Sequence, residues 1–225
     1  MILAIETATT TCSIALTSEH QVLGEHSYYL DKSHSALLPS IVEELMVNCG
    51  VEKKDLTAVA VSDGPGSYTG LRIGTSAAKG FCYALELPLI AVPTLKSLAY
   101  SVSCDLYKDF LLCPMLDARR MEVYTAFYDV ELEELRPVEA IPLERESFSE
   151  YQSKQLLLFG NGAEKTKPLF EGLPYIQYLD KTELRAGSIG LLAQKMHQDG
   201  QIADLAYYEP NYFKAFKAVK PKSLI

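Results

Sequence analysis

The sequence predicts an α/β layer fold with mixed sheets flanked by helices, built as a duplicated arrangement whose second half is degenerate. Three observations lead there. Strand-forming runs open the chain three in a row, Ile2 to Glu6, Cys12 to Thr17 and Gln21 to Tyr29. Continuous apolar runs then alternate with helical stretches, as buried parallel strands do. The second half reopens in the same manner, with strand runs at Phe110 to Leu116 and Met121 to Val130.

The elements follow in order. The short polar link Ser18-Glu19-His20 joins the second and third runs, so the first three strands form a meander. Ser33 is a candidate cap for a helix that ends before Gly50, and Pro39 fits its first turn if it begins near Leu38. Thr57 to Ser62 reads as a strand covered on both faces. The loop Asp63-Gly64-Pro65-Gly66-Ser67 leads into a helix over Thr69 to Leu85. Leu89 to Val92 is another buried strand, and Pro93-Thr94 starts a third helix. Past a boundary near Ser101 to Asp105, further strands are expected near Leu135 to Val138 and at Leu156 to Phe159. A helix is expected over Ala186 to His197. The division is residues 1–102, a first domain with partner-binding helices, and 103–225, a smaller second domain whose tail packs back on the first.

Composition narrows the function classes. A chain of 225 residues with 48% apolar and 22% charged residues is an ordinary globular protein, long enough to bury a core. A formal net charge of −8 opposes broad binding of nucleic acid. The exception is Lys214, Lys217, Lys220 and Lys222, either a solvated tail or a minor nucleic-acid contact. Cys12, Cys49, Cys82, Cys104 and Cys113 form no CxxC and read as free thiols of a reducing cytosol. The start Met1 to Glu6 lacks a basic leader, no apolar run approaches the ~20 residues of a membrane span, and a cytoplasmic location is expected. There is no GxxxxGK[ST], GxGxxG or GxSxG. His20, His26, His34 and His197 are too far apart in sequence for a helical metal clip. No catalytic residue and no metal ligand are expected.

Three features stand out. Gly64, Pro65, Gly66, Ser67, Thr69 and Arg72 form a glycine-rich turn entering a helix N-terminus. It is either an anion or nucleotide loop or a tight turn capped by Ser67 or Thr69. The two helices beside it have unusually wide apolar faces. Leu37, Leu38, Ile41, Val42, Leu45, Met46 and Cys49 sweep an arc of roughly 180°, where a helix lying on one sheet needs ~100°. Gly70, Leu71, Ile73, Gly74, Ala77, Ala78, Phe81, Cys82 and Leu85 do the same, and the small row Gly70, Gly74, Ala78 would admit another helix. The surplus either meets a partner or packs on the rest of the chain. Asp117-Ala118-Arg119-Arg120 reads as a charged hairpin turn.

These residues resemble a family. Ile2 to Thr9 with Cys12 to Leu16, the run Lys32 to Pro39, the specific string Gly64 to Gly74, Asp117 to Arg120 with Glu122-Val123-Tyr124, and Pro210-Asn211-Tyr212 are similar to the TsaB family. That family, also called YeaZ, belongs to the actin-like, ribonuclease H-like ASKHA superfamily. The resemblance implies a non-catalytic scaffold subunit of the machinery that makes N6-threonylcarbamoyladenosine in tRNA. It implies docking on the catalytic sister TsaD through the first two helices, as a heterodimer joined by the ATPase TsaE. A homodimer would use the same helices when the chain is alone. Contacts would come from His34, Leu37, Leu38, Ile41, Leu45, Gly70, Gly74, Ala78 and Phe81. TsaD carries a His-xxx-His metal pair where this chain has Thr94 and Leu98, so the peptidase label of the superfamily finds no ligands here. Glu6 stands where relatives commonly have Asp, and no glycine-rich phosphate loop follows it. No cofactor is expected for the chain alone; ATP or ADP belongs to the complex. The alternative is an autonomous ATP-dependent kinase-like or hydrolytic ASKHA enzyme.

Overall fold

The computed structural model describes residues 1–29, 34–103 and 109–214, and for residues 34–37 the backbone only. The first sheet contains β1 (Ile2–Glu6), β2 (Thr11–Thr17), β3 (Val22–Tyr29), β4 (Ala58–Ser62) and β5 (Leu89–Val92), in the order β3-β2-β1-β4-β5. β1 to β3 are the expected antiparallel meander, with Ile5 opposite Ile14. β4 and β5 add in parallel, with Ile5 beside Val61 and Ala60 beside Ile90.

The helices between these strands are α1 (His34–Cys49), α2 (Tyr68–Leu85) and α3 (Thr94–Tyr100). α1 is longer than its sequence suggests, and Pro39 lies inside it rather than in its first turn. The ring forgoes one helical hydrogen bond at a solvent-facing position. Burial of Leu38, Ile41 and Leu45 on the opposite side holds the helix through it. Gly50 follows with φ 64°, the left-handed conformation a helix stop favours.

The second sheet repeats the first. β6 (Phe110–Asp117), β7 (Glu122–Tyr128), β8 (Glu134–Pro142), β9 (Gln155–Phe159) and β10 (Ile176–Leu179) lie in the order β10-β9-β6-β7-β8. Its first three strands are again antiparallel and its last two parallel. β10 was not expected; its four residues, Ile176-Gln177-Tyr178-Leu179, are too short a run for periodicity to mark. Degeneration is in the connections. Where the first sheet has α1 and α2, the second has 3-10 turns at Ser149–Tyr151 and Glu164–Thr166 and the one-turn α4 (Lys167–Phe170). Phe127, Phe148 and Phe170 fill the core those helices would have covered.

The first sheet is built from residues 2–92 and the second from residues 110–179, but helices cross between the layers around them. α5 (Ala186–Gln198), from the second half, covers the first sheet, with Ala186, Ile189 and Ala193 against Ile2, Ala4, Ala58, Ala60 and Val92. The alanines and glycines permit this approach, since a Cβ on Gly190 would lie 2.5 Å from Thr17. α3, from the first half, packs Leu95, Leu98 and Ala99 on the second sheet beside Leu112 and Phe159. Each half is completed by a helix of the other. Ala203 pairs with Leu89 at the β5 edge of the first sheet.

Candidate partner interface

α1 and α2 lie side by side on one face of the first sheet. Leu38, Ile41 and Leu45 of α1 and Gly74 and Ala78 of α2 are buried in the chain's own core, which corrects the expectation that they face a partner. The wide arc of α1 has two internal neighbours. Below lies the sheet, where Leu45 and Cys49 approach Gly24 of β3; beside it lies α2. A helix covered on two sides needs twice the stripe of one covered on a single side. The side chains of His34 and Leu37 lie outside the described residues.

The row of small residues on α2 also has an internal cause. The turn after β1 crosses the helix so closely that a Cβ on Gly70 would sit 2.0 Å from the Thr7 carbonyl oxygen, and one on Gly74 would sit 2.2 Å from Thr7 Oγ1. Thr7 Oγ1 donates to the Gly70 carbonyl at 2.8 Å and secures that crossing. Gly70 is buried as well.

The exposed face of α2 is a different one, centred on Gly80. A Cβ there would touch nothing. Around it at helical spacing stand Ser76 and Ala84, both exposed, and Ile73, Ala77 and Phe81, half-buried at the edge of the core. Tyr83 is 83% exposed, and Val47 on α1 is 74% exposed. Of the expected contacts, Phe81 retains a surface. Sequence reasoning missed the row Ser76, Gly80, Ala84. Its signal was Gly80 itself, since a glycine in an exposed helix interior costs about 1 kcal/mol and calls for a reason.

The glycine-rich turn is occupied from within. Ser67 caps α2, its Oγ accepting from the Gly70 amide at 3.3 Å. The Ser67 amide donates to the Ala8 carbonyl at 2.6 Å, and the Gly64 amide donates to Thr94 Oγ1 at 2.9 Å. The amides of Gly64, Ser67 and Gly70 are thus engaged by the chain itself, with Ser67 as the helix cap. Thr69 is exposed on the first turn, and Pro65 is buried behind it. Arg72 turns away to the C-terminal segment: Nε donates to Tyr212 Oη at 3.2 Å, and the guanidinium lies 4.6 Å over the Tyr68 ring. Thr94 and Leu98 are both buried, one holding the turn and the other in the second core.

Beside this turn Glu6 ends β1 fully buried. Its Oε1 accepts from the Ala8 amide, its Oε2 has no partner among the described residues, and Ser62 Oγ lies buried on the neighbouring strand. Burial pushes its pKa up to about 7 against the pull of those groups. Cys12, Cys82 and Cys113 are buried free thiols and Cys49 is half-buried, while Cys104 lies outside the described residues. Burial raises Cys12 to about 11 and Cys82 to about 12, far from a reactive thiolate. The Asp117 hairpin is a tied turn. Arg119 and Arg120 take left-handed φ of 66° and 52°, and Lys165 Nζ reaches Asp117, the Arg120 carbonyl and the Glu122 carbonyl. Lys214 pairs with Glu122, while Lys217, Lys220 and Lys222 lie outside the described residues. Among the described helices none is long and apolar enough to cross a membrane.

Two five-stranded sheets of one topology, each closed by a helix of the other half, define a duplicated actin-like ASKHA fold. A family model, "TsaD: tRNA N6-adenosine threonylcarbamoyltransferase", matches residues 21–163. The chain is 39% identical over 145 residues to the tRNA threonylcarbamoyladenosine biosynthesis protein TsaB of Bacillus subtilis, covering 63% of this chain and 62% of that protein. It is 37% identical over 127 residues to the Escherichia coli protein of the same name, covering 56% of this chain and 54% of that one. The match therefore spans less than two thirds of either relative. The solved structure of YeaZ from Pseudomonas aeruginosa superposes with a TM-score of 0.81 at 26% identity, over 94% of this chain and 98% of that one. The chain belongs to the threonylcarbamoyltransferase family, on its TsaB (YeaZ) branch.

Proposed function

We propose that this chain is a non-catalytic subunit in the biosynthesis of N6-threonylcarbamoyladenosine in tRNA, docking on a TsaD-type catalytic sister through the outer faces of α1 and α2. The observation that carries the reading is the α2 face around Gly80. It is open to close approach, edged by Ile73, Ala77 and Phe81, and presents Tyr83, a residue type that anchors interfaces. Small residues let a partner helix approach, and the half-buried apolar edge supplies area to lose from water. The relatives' names and the TsaD family model support the pathway. The non-catalytic reading is supported by Thr94 and Leu98, both committed to packing where the sister holds metal ligands. TsaE joins the assembly in this reading and supplies its ATPase. The same face serves a homodimer when the chain is alone, since one patch can take either partner. Any ATP or ADP belongs to the assembled complex, and the protein works in the cytoplasm.

Size-exclusion chromatography of the chain with purified TsaD tests it: the two co-elute, and separate elution contradicts the reading. The enzyme alternative predicts ATP hydrolysis by the purified chain that disappears in Glu6→Ala.

A further inference from the structure

Two sequence features, the Asp63-Gly64-Pro65-Gly66 turn and Pro210-Asn211-Tyr212, have no role in docking as such, yet the fold brings them together. The Asn211 amide donates to the Asp63 carbonyl at 2.7 Å, and a Cβ on Gly64 would lie 2.4 Å from the Asn211 carbonyl oxygen. Gly64 is thus a glycine because the C-terminal segment lies directly on it, at a φ of 108°. Both carboxylate oxygens of Asp63 are taken by the same segment: Tyr208 Oη donates to Oδ1 at 2.9 Å, and Asn211 Nδ2 donates to Oδ2 at 2.5 Å.

The contact continues along the helix. Tyr212 packs on Tyr68 at 4.8 Å between ring centroids and accepts from Arg72. Two turns on, Lys79 Nζ donates to the carbonyls of Ala206 and Tyr208 at 3.1 and 3.2 Å. Tyr68, Arg72 and Lys79 share one flank of α2, spanning about 16 Å at 1.5 Å per residue. The ridge centred on Gly80 lies next to that flank. Of the inner positions of α2 along this stretch, Gly70 and Gly74 have no side chain, which leaves Leu71 and Thr75 to hold the helix from within.

We propose that the C-terminal strap, residues 203–214, is a positioning brace that sets the orientation of α2, and thereby the affinity of its outer face for the partner. The inference rests on the docking reading above. The strap touches the flank and the entry turn and leaves the Gly80 ridge open, so it acts on the partner through the helix.

The test is Tyr208→Phe/Asn211→Ala in the full chain, which removes both side-chain contacts to Asp63. Amide hydrogen exchange over residues 64–72 is expected to speed at least tenfold while β6 and β9 keep their protection. The Kd for purified TsaD is expected to rise at least tenfold. Tyr212→Ala should move both readouts in the same direction, and Tyr212→Phe, which keeps the ring on Tyr68, should restore most of the loss. It also stands in if the double variant does not fold. Unchanged exchange, or faster exchange with wild-type affinity, overturns the brace. If wild-type chain itself fails to bind TsaD, the docking reading falls instead, which is a separate result.

Discussion

Glu6 is a carboxyl whose ionisation the fold delays by burial, so that it titrates near neutral pH. Its pKa of about 7 lies above its ordinary value of 4.5, so between those values the native state holds a proton that the unfolded chain releases. Stability is therefore fullest below about pH 4.5 and declines as pH rises toward 7, by about 3 kcal/mol at roughly 1.4 kcal/mol per pH unit. Glu6→Gln keeps an oxygen for the Ala8 amide and removes the charge. Its melting temperature should be nearly flat between pH 5 and pH 8, where the wild type falls. A wild-type curve equally flat would mean that burial does not raise the Glu6 pKa. A second residue acts across elements. α5 has no cap of its own, and its first amides are met by strands of the sheet it covers: Gly187 donates to Glu25 Oε1 at 2.7 Å and Ala186 to Ser13 Oγ at 3.1 Å. A carboxylate at a helix N-terminus satisfies free donors and complements the dipole. Glu25→Ala should lower unfolding free energy by about 1 to 2 kcal/mol in urea titration.

The elements show what was legible and what was not. Strands such as β1 and β5, made of unbroken apolar runs, appear where Ile2 to Glu6 and Leu89 to Val92 place them. α2 starts one residue early because Ser67 caps it. Missed elements are the short ones: β10, and the turns that replace helices in the second half. The interface was half legible. Apolar width marked α1 and α2, but width cannot say which neighbour covers a face, and helix contacts on α1 and the Thr7 crossing on α2 took most of it. Gly74 and Gly80 look alike in sequence and differ only in what stands opposite. Gly74→Arg should therefore unfold the chain or lower its melting temperature by more than ten degrees, since Thr7 occupies the space a side chain would need.

At the scale of the whole molecule, the chain is two copies of one sheet locked by exchanged helices, with a tail stretched from β5 past α2 to the β6–β7 hairpin. That design ties both halves into one body and leaves the outer side of α2 as open surface. The central claim is that this surface, and not the buried arc, meets the catalytic sister. Gly80→Arg tests it most directly. In the free chain arginine is a better helix former than glycine and meets nothing, so melting temperature should hold or rise. Isothermal titration with TsaD should then show binding abolished or weakened at least a hundredfold in this folded variant. Binding of folded Gly80→Arg with wild-type affinity would contradict the account.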